Sequence, residues 1–323
     1  MVKWIAADMQ PQTGKTVLVT GANSGIGFQT ALELARAGAT VLLASRNRQK
    51  AEDAMLAITK EVPKAALEFV ELDLADLASI RSCAERVVTR GGALDILINN
   101  AGVMAVPERM TTVDGFELQF GTNHLGHFAL TGLLMPALRR NPTARVVTVA
   151  SIAHKRAVID FQNLQGQRGY KAWDAYNQSK LANLWFAFEL ERKFLRARLK
   201  LKSIAAHPGV SATNIVNGGP KLGGTINFRT LLISLAMPFL GQPDSMGALP
   251  SLYAATAPDV MGGSYYGPDG TGELRGNPVK VWANTLAMDE VKAAQLWSVS
   301  EELTGVAYGP LLEPVQLSAP PIL

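Results

Sequence analysis

Cysteine is nearly absent. Cys83 stands alone, which excludes a disulfide within the chain and a cysteine-based metal site, and favours a reducing compartment. Charge is sparse too: 18% of residues are charged, and 31 basic against 27 acidic side chains leave a net +4. So slight an excess gives nucleic acid no purchase unless it is concentrated. The densest basic run, "RKFLRARLKLK" from Arg192 to Lys202, reads as solvated last turns of a helix, where cations complement the macrodipole, passing into a strand. Long apolar runs are missing. The longest, "TLLISLAMPFL" (Thr230 to Leu240), is too short to span a bilayer and contains Pro238, although it permits peripheral membrane contact. The amino terminus has no apolar stretch followed by a cleavage site, so secretion is not expected and a cytoplasmic location is. The four histidines, His124, His127, His154 and His207, show neither regular ligand spacing nor carboxylate company, so no metal site is expected. His124 and His127 read as packing or surface residues.

What the chain does have is apolar bulk. Hydrophobic residues make up 48% of 323, enough for a large buried core. Short apolar runs at 15–20, 40–45, 66–72, 94–99, 145–151 and 201–206 show little polar alternation, as strands covered on both faces do. Helix-length segments lie between them, the first closed by Gly38. The expectation is an α/β chain of one domain (1–323): a Rossmann-type doubly wound parallel sheet with helices on both faces. Residues 14–210 would form the dinucleotide-binding core, 211–245 a loop or lid rich in Gly and Pro, and 285–323 a C-terminal extension. Pro250, within a helical pattern, implies a kink or a late helix start.

Three motifs carry chemistry. "VTGANSGIG" runs from the first strand into the first helix, placing Gly21, Gly25 and Gly27, with Asn23, Ser24 and Ile26 between them, where backbone amides can approach a pyrophosphate. "NNAG" follows the fourth strand, with Asn99 expected to join strand ends and Asn100, Ala101 and Gly102 to approach a cofactor. In "WDAYNQSKLANLWF", Tyr176 and Lys180 stand four residues apart and share one helix face. A cation there favours phenolate.

In this order and context the motifs resemble the short-chain dehydrogenase/reductase family. "TNHLGHF" and the stretch of 25 positions between Ser151 and Tyr176 look like the branch holding retinol dehydrogenases, WW-domain oxidoreductase and protochlorophyllide reductase. The resemblance implies four catalytic residues. Ser151 would bind the substrate oxygen, Tyr176 would be the acid/base, Lys180 would assist it and touch the nicotinamide ribose, and Asn123 would hold a relay water. "HPGVSAT" implies that Pro208, Gly209, Val210 and Thr213 bracket the nicotinamide and pyrophosphate, and "LDL" that Asp73 and Leu74 meet the adenine, Asp76 being the better helix cap. Tyr170 has no lysine four residues on and is a decoy.

Enzymes using NAD place a carboxylate after the second strand. Here Ser45 takes that place and Arg46 follows, so NADP(H) is the expected cofactor, anchored by Arg46 with Asn47 or Arg48 as secondary contacts; a solvated Arg46 at a helix start is the alternative. The expected substrate is a bulky apolar carbonyl or alcohol, walled by the 228–240 loop, which could equally pack into the fold or against a second subunit. C=C reduction, or cofactor binding without relevant turnover, is the alternative activity. Family analogy alone implies a homo-oligomer.

Overall fold

The structure is a computed structural model that describes residues 3–210 and 241–312. Eight strands form one sheet in the order β3-β2-β1-β4-β5-β6-β7-β8. The first six are β1 (Thr16–Thr20), β2 (Thr40–Ser45), β3 (Ala66–Glu71), β4 (Ile96–Asn99), β5 (Arg145–Val149) and β6 (Lys202–Ala206). All pair in parallel, for example Leu18 beside both Leu42 and Leu97. β7 (Tyr265–Pro268) continues the parallel set, and β8 (Pro278–Lys280) closes the edge antiparallel.

The order reverses between β1 and β4, which opens a crevice at the carboxyl ends of those strands. Consecutive strand residues point to opposite faces, so the uninterrupted apolar runs feed two cores. On one face Leu18, Leu42, Leu97 and Val146 meet α3 (Leu77–Thr89), α4 (Gly126–Leu138) and α5 (Ala172–Arg196). On the other, Val17, Val41, Ile98 and Val147 meet α1 (Gly25–Arg36), α2 (Arg48–Glu61) and α6 (Asp244–Thr256).

Several helix ends follow their sequence signals. Asp76 caps α3 by accepting from Ala78 N and Ser79 N, and Gly38 adopts φ +90° just past α1. Pro250 lies buried inside α6, which starts at Asp244, so a late start is not the explanation. The basic run does more than end a helix. Arg192, Lys193 and Arg196 surround Glu189, whose side chain is 2% exposed, so three cations compensate one buried carboxylate. After β8 comes α7 (Glu290–Thr304), whose Trp297 joins the first core together with Tyr308 beyond the helix: they pack with Phe128 at ring separations of 5.0 and 4.9 Å. Among the described residues no helix is long and apolar enough to cross a membrane. The expected lid, apart from its last residues, lies outside the described residues, as does Thr213.

Candidate active site

A cleft of about 1280 Å³ opens over the carboxyl ends of β1, β2, β4, β5 and β6. Its wall begins at the turn between β1 and α1, where Gly21, Asn23, Ser24, Gly25, Ile26 and Gly27 line it. Gly21 and Gly25 adopt φ +67° and +58°. A Cβ on Gly27 would lie 2.3 Å from Gly21 O and 2.6 Å from Asn100 Nδ2, so only glycine lets helix and strand approach here. Ser24 caps α1 by position and makes no side-chain capping bond, which leaves the first-turn amides open to an anion.

Next along the wall come Arg46 and Asn47, then Asp73 and Leu74. Arg46 is exposed and has no ion-pair partner among the described residues, while Asn47 caps α2 through Lys50 N. Lys50 also reaches the cleft and went unnoticed in the sequence, being one of several cations in a polar run. Arg48 does not share this wall. Its guanidinium lies over the Phe69 ring at 4.6 Å and 3.6 Å from Glu52, so of the two expected secondary contacts it is Asn47 that lines the cleft. Asp73 Oδ1 accepts from Ala75 N, folding the turn that presents the residue.

The strand-joining task falls to Asn100, not Asn99. Asn100 donates from its side chain to Thr20 O and from its backbone to Thr20 Oγ1, whereas Asn99 donates to Thr131 in α4. Two adjacent asparagines give no means of choosing in sequence, since what decides is where β4 ends: Asn99 is its last residue, pointing to the α4 face, and Asn100 lies just past it beside Thr20. Thr20 Oγ1 also accepts from Ala101 N. Its own proton goes to His127 Nε2, because His127 Nδ1 faces the carbonyl of Asn123 and must carry the other hydrogen. Burial lowers the His127 imidazole to about 4, consistent with this neutral form.

Asn123 sits in a π turn, Gly121–Leu125, that leads into α4. Its amide ties two elements together: Oδ1 accepts from Val103 N, and Nδ2 donates to Val103 O and Ser179 Oγ. This amide is thus a strut behind Gly102 and Val103. Its effect is felt in the cleft, because a Cβ on Gly102 would lie 3.0 Å from Asn123 Oδ1 and 3.6 Å from Lys180 Nζ.

Ser151 follows β5 and starts a 3-10 turn, Ile152–Arg156, by accepting from Ala153 N. Its hydroxyl neighbours the Tyr176 phenol, which α5 presents at 7% exposure beside an edge-on Trp173. Burial pushes the phenol up to about 12 while Ser151 pulls it down. Lys180 is lowered to about 8 by burial; it donates to Val149 O at 3.1 Å and sits 5.8 Å from the Tyr176 ring centre. The expected drift toward phenolate is thus outweighed by desolvation, and the phenol is protonated at neutral pH. Tyr170, the decoy, donates to Val106 O and accepts from Gln119.

Pro208, Gly209 and Val210 complete the wall. They are braced by Gln242, which donates to Pro208 O and accepts from Gly276 N, a contact between distant loops that sequence could not reveal. Met104, Met110, Ile152 and Trp173 add apolar surface to the cleft.

A phosphate-ready helix start at the strand reversal, with a serine, a buried tyrosine and a buried lysine on the facing wall, is an arrangement shared with known enzymes. The short chain dehydrogenase family profile matches residues 15–218. The chain belongs to that family. Mouse retinol dehydrogenase 12 is 41% identical over 297 residues, covering 91% of this chain and 88% of that one. Human retinol dehydrogenase 13 is 41% identical over 296 residues, covering 91% and 85%. Among solved structures, a protein from Mycobacterium paratuberculosis is 42% identical with a TM-score of 0.77, covering 95% and 99% of the two chains. Within the short chain dehydrogenases this chain therefore sits on the retinol dehydrogenase-like branch, and it is an oxidoreductase using a nicotinamide cofactor.

Proposed function

We propose that the chain transfers a hydride between NADP(H) and a bulky apolar carbonyl or alcohol, with Tyr176 as acid and base. The observation that carries this reading is the Tyr176 phenol, buried and protonated, sharing the cleft wall with Ser151 and with Lys180 one turn on. The residues fit the cofactor: the uncapped amides of α1 suit a pyrophosphate, and Arg46, with Ser45 where NAD enzymes carry an acid, suits a ribose phosphate. When bound, the cofactor supplies or accepts the hydride.

The protein's own groups handle the proton. In reduction, Ser151 and Tyr176 both donate hydrogen bonds to the carbonyl oxygen, and Tyr176 passes its proton as negative charge grows there. The Lys180 ammonium, held by Val149 O, lies on the same helix face and stabilises the phenolate left behind. In oxidation the same phenolate is the base. Methionines, Ile152 and Trp173 exclude water and suit an apolar substrate. The retinol named in the relatives is an alcohol of that kind.

Tyr176→Phe keeps the ring and removes the proton. Turnover of an apolar aldehyde such as retinal, followed by NADPH oxidation, should fall about 10²- to 10⁴-fold while NADPH binding persists. Unchanged turnover would refute the assignment.

A further inference from the structure

Beside the reacting centre lies a charge arrangement that the hydride transfer does not use. Lys155, in the turn that begins with Ser151, lines the cleft, and its ammonium lies 2.7 Å from Glu273 Oε1. The second oxygen of Glu273 accepts from His207 at 3.1 Å. His207 is fully buried, and its Nδ1 accepts from Gly209 N, so Nε2 carries the hydrogen and the imidazole is neutral. Among the described residues, Glu273 thus faces a single full cation, Lys155.

The backbone is strained to place this carboxylate. Gly272, itself on the cleft wall, has φ +67°, and Glu273 follows at φ +60°, a left-handed conformation unusual for a side chain of its kind. Such strain persists where surrounding contacts hold it, and here both carboxylate oxygens are engaged.

Resting on the proposed hydride-transfer reading, we propose that Glu273 is a specificity-determining residue: by cancelling the charge of Lys155 on the cleft wall, it keeps the site selective for uncharged substrates over carboxylates. An unopposed ammonium in a partly dry cleft would attract an anionic ligand group. With Glu273 against it, the wall offers mainly the aliphatic stem of Lys155. Arg156 and Asp174 also line the cleft, and their charges are common to every variant compared below.

The test is the ratio of binding constants for 2-naphthoate and its neutral counterpart 2-naphthamide, measured by calorimetry at low salt. The full chain is used, saturated with whichever oxidised nicotinamide cofactor it binds more tightly. Glu273→Gln keeps an acceptor for His207 and removes the charge; the ratio should move about fivefold toward the carboxylate, and the shift should shrink in 0.5 M salt. Lys155→Met should move it the opposite way, and the double variant should return near the wild-type ratio. An unchanged ratio in both single variants, a shift that survives in the double variant, or failure of every variant to bind either ligand overturns the proposal. Should Glu273→Gln not fold, the opposite shift in Lys155→Met still decides. Reduction of methyl 4-formylbenzoate by the wild type is read separately, so its absence counts against hydride transfer and leaves the binding ratio standing.

Discussion

At the scale of single residues, burial decides how the groups around α4 and α5 ionise. His124, 2% exposed among Phe120, Phe128 and Phe186, is lowered to about 3 by desolvation. The unfolded chain takes up this proton near 6.5, the folded chain near 3. Acid therefore favours unfolding: the stability gained from a neutral His124 is present above 6.5 and is lost as pH falls toward 3, by about 1.4 kcal/mol per pH unit. His124→Phe should make the decline of unfolding free energy between pH 6.5 and 4 shallower by about that slope, in urea titrations at stepped pH. An identical slope would show that the imidazole is not kept neutral. The same desolvation explains why the Tyr176–Lys180 spacing was readable while the direction of the phenol's shift was not: spacing places two groups together, and depth depends on the whole fold.

Elements show where local pattern was enough. Six strands were legible because five are nearly continuous apolar runs buried on both faces, and the edge strand β3, half-buried with two glutamates, still stands between helical patterns. β7 and β8 were not, since "YYGP" and "PVK" are short, carry proline and pair only at the sheet's far edge. Motif residues at strand ends were legible by position, and their partners were not: Arg46 and Arg48 are equally basic in sequence, yet Phe69 on β3 draws Arg48 away. The end of β2 then yields a sharp expectation. Arg46→Ala should weaken NADPH binding about tenfold or more and leave NADH binding nearly unchanged, measured by fluorescence titration. Equal losses would place Arg46 outside the cofactor site.

Over the whole molecule, the described chain after β8 is structural material: Trp297, Val306 and Tyr308 join the first core, while Ala287, Ala293 and Leu296 pack in the cluster around Trp185. Tyr308 donates to Phe128 O and packs against Trp297 at 4.6 Å, all three rings being nearly inaccessible. A Cβ on Gly132 would meet the Tyr308 ring at 2.8 Å, so α4 approaches this ring through a glycine. Tyr308→Ala should cost about 3–5 kcal/mol, from the cavity and the carbonyl left unpaired. Urea unfolding would register it as a lower midpoint, and a loss under 1 kcal/mol would mean that the segment is not integral.

That packing also bears on biosynthesis. Leu18 and Tyr308 belong to one hydrophobic cluster, so a ribosome making this chain releases the first strand long before the ring that seals the same face. Until then Phe128 and Phe186 have no aromatic cover from that side, and the nascent sheet presents the kind of surface that chaperones hold.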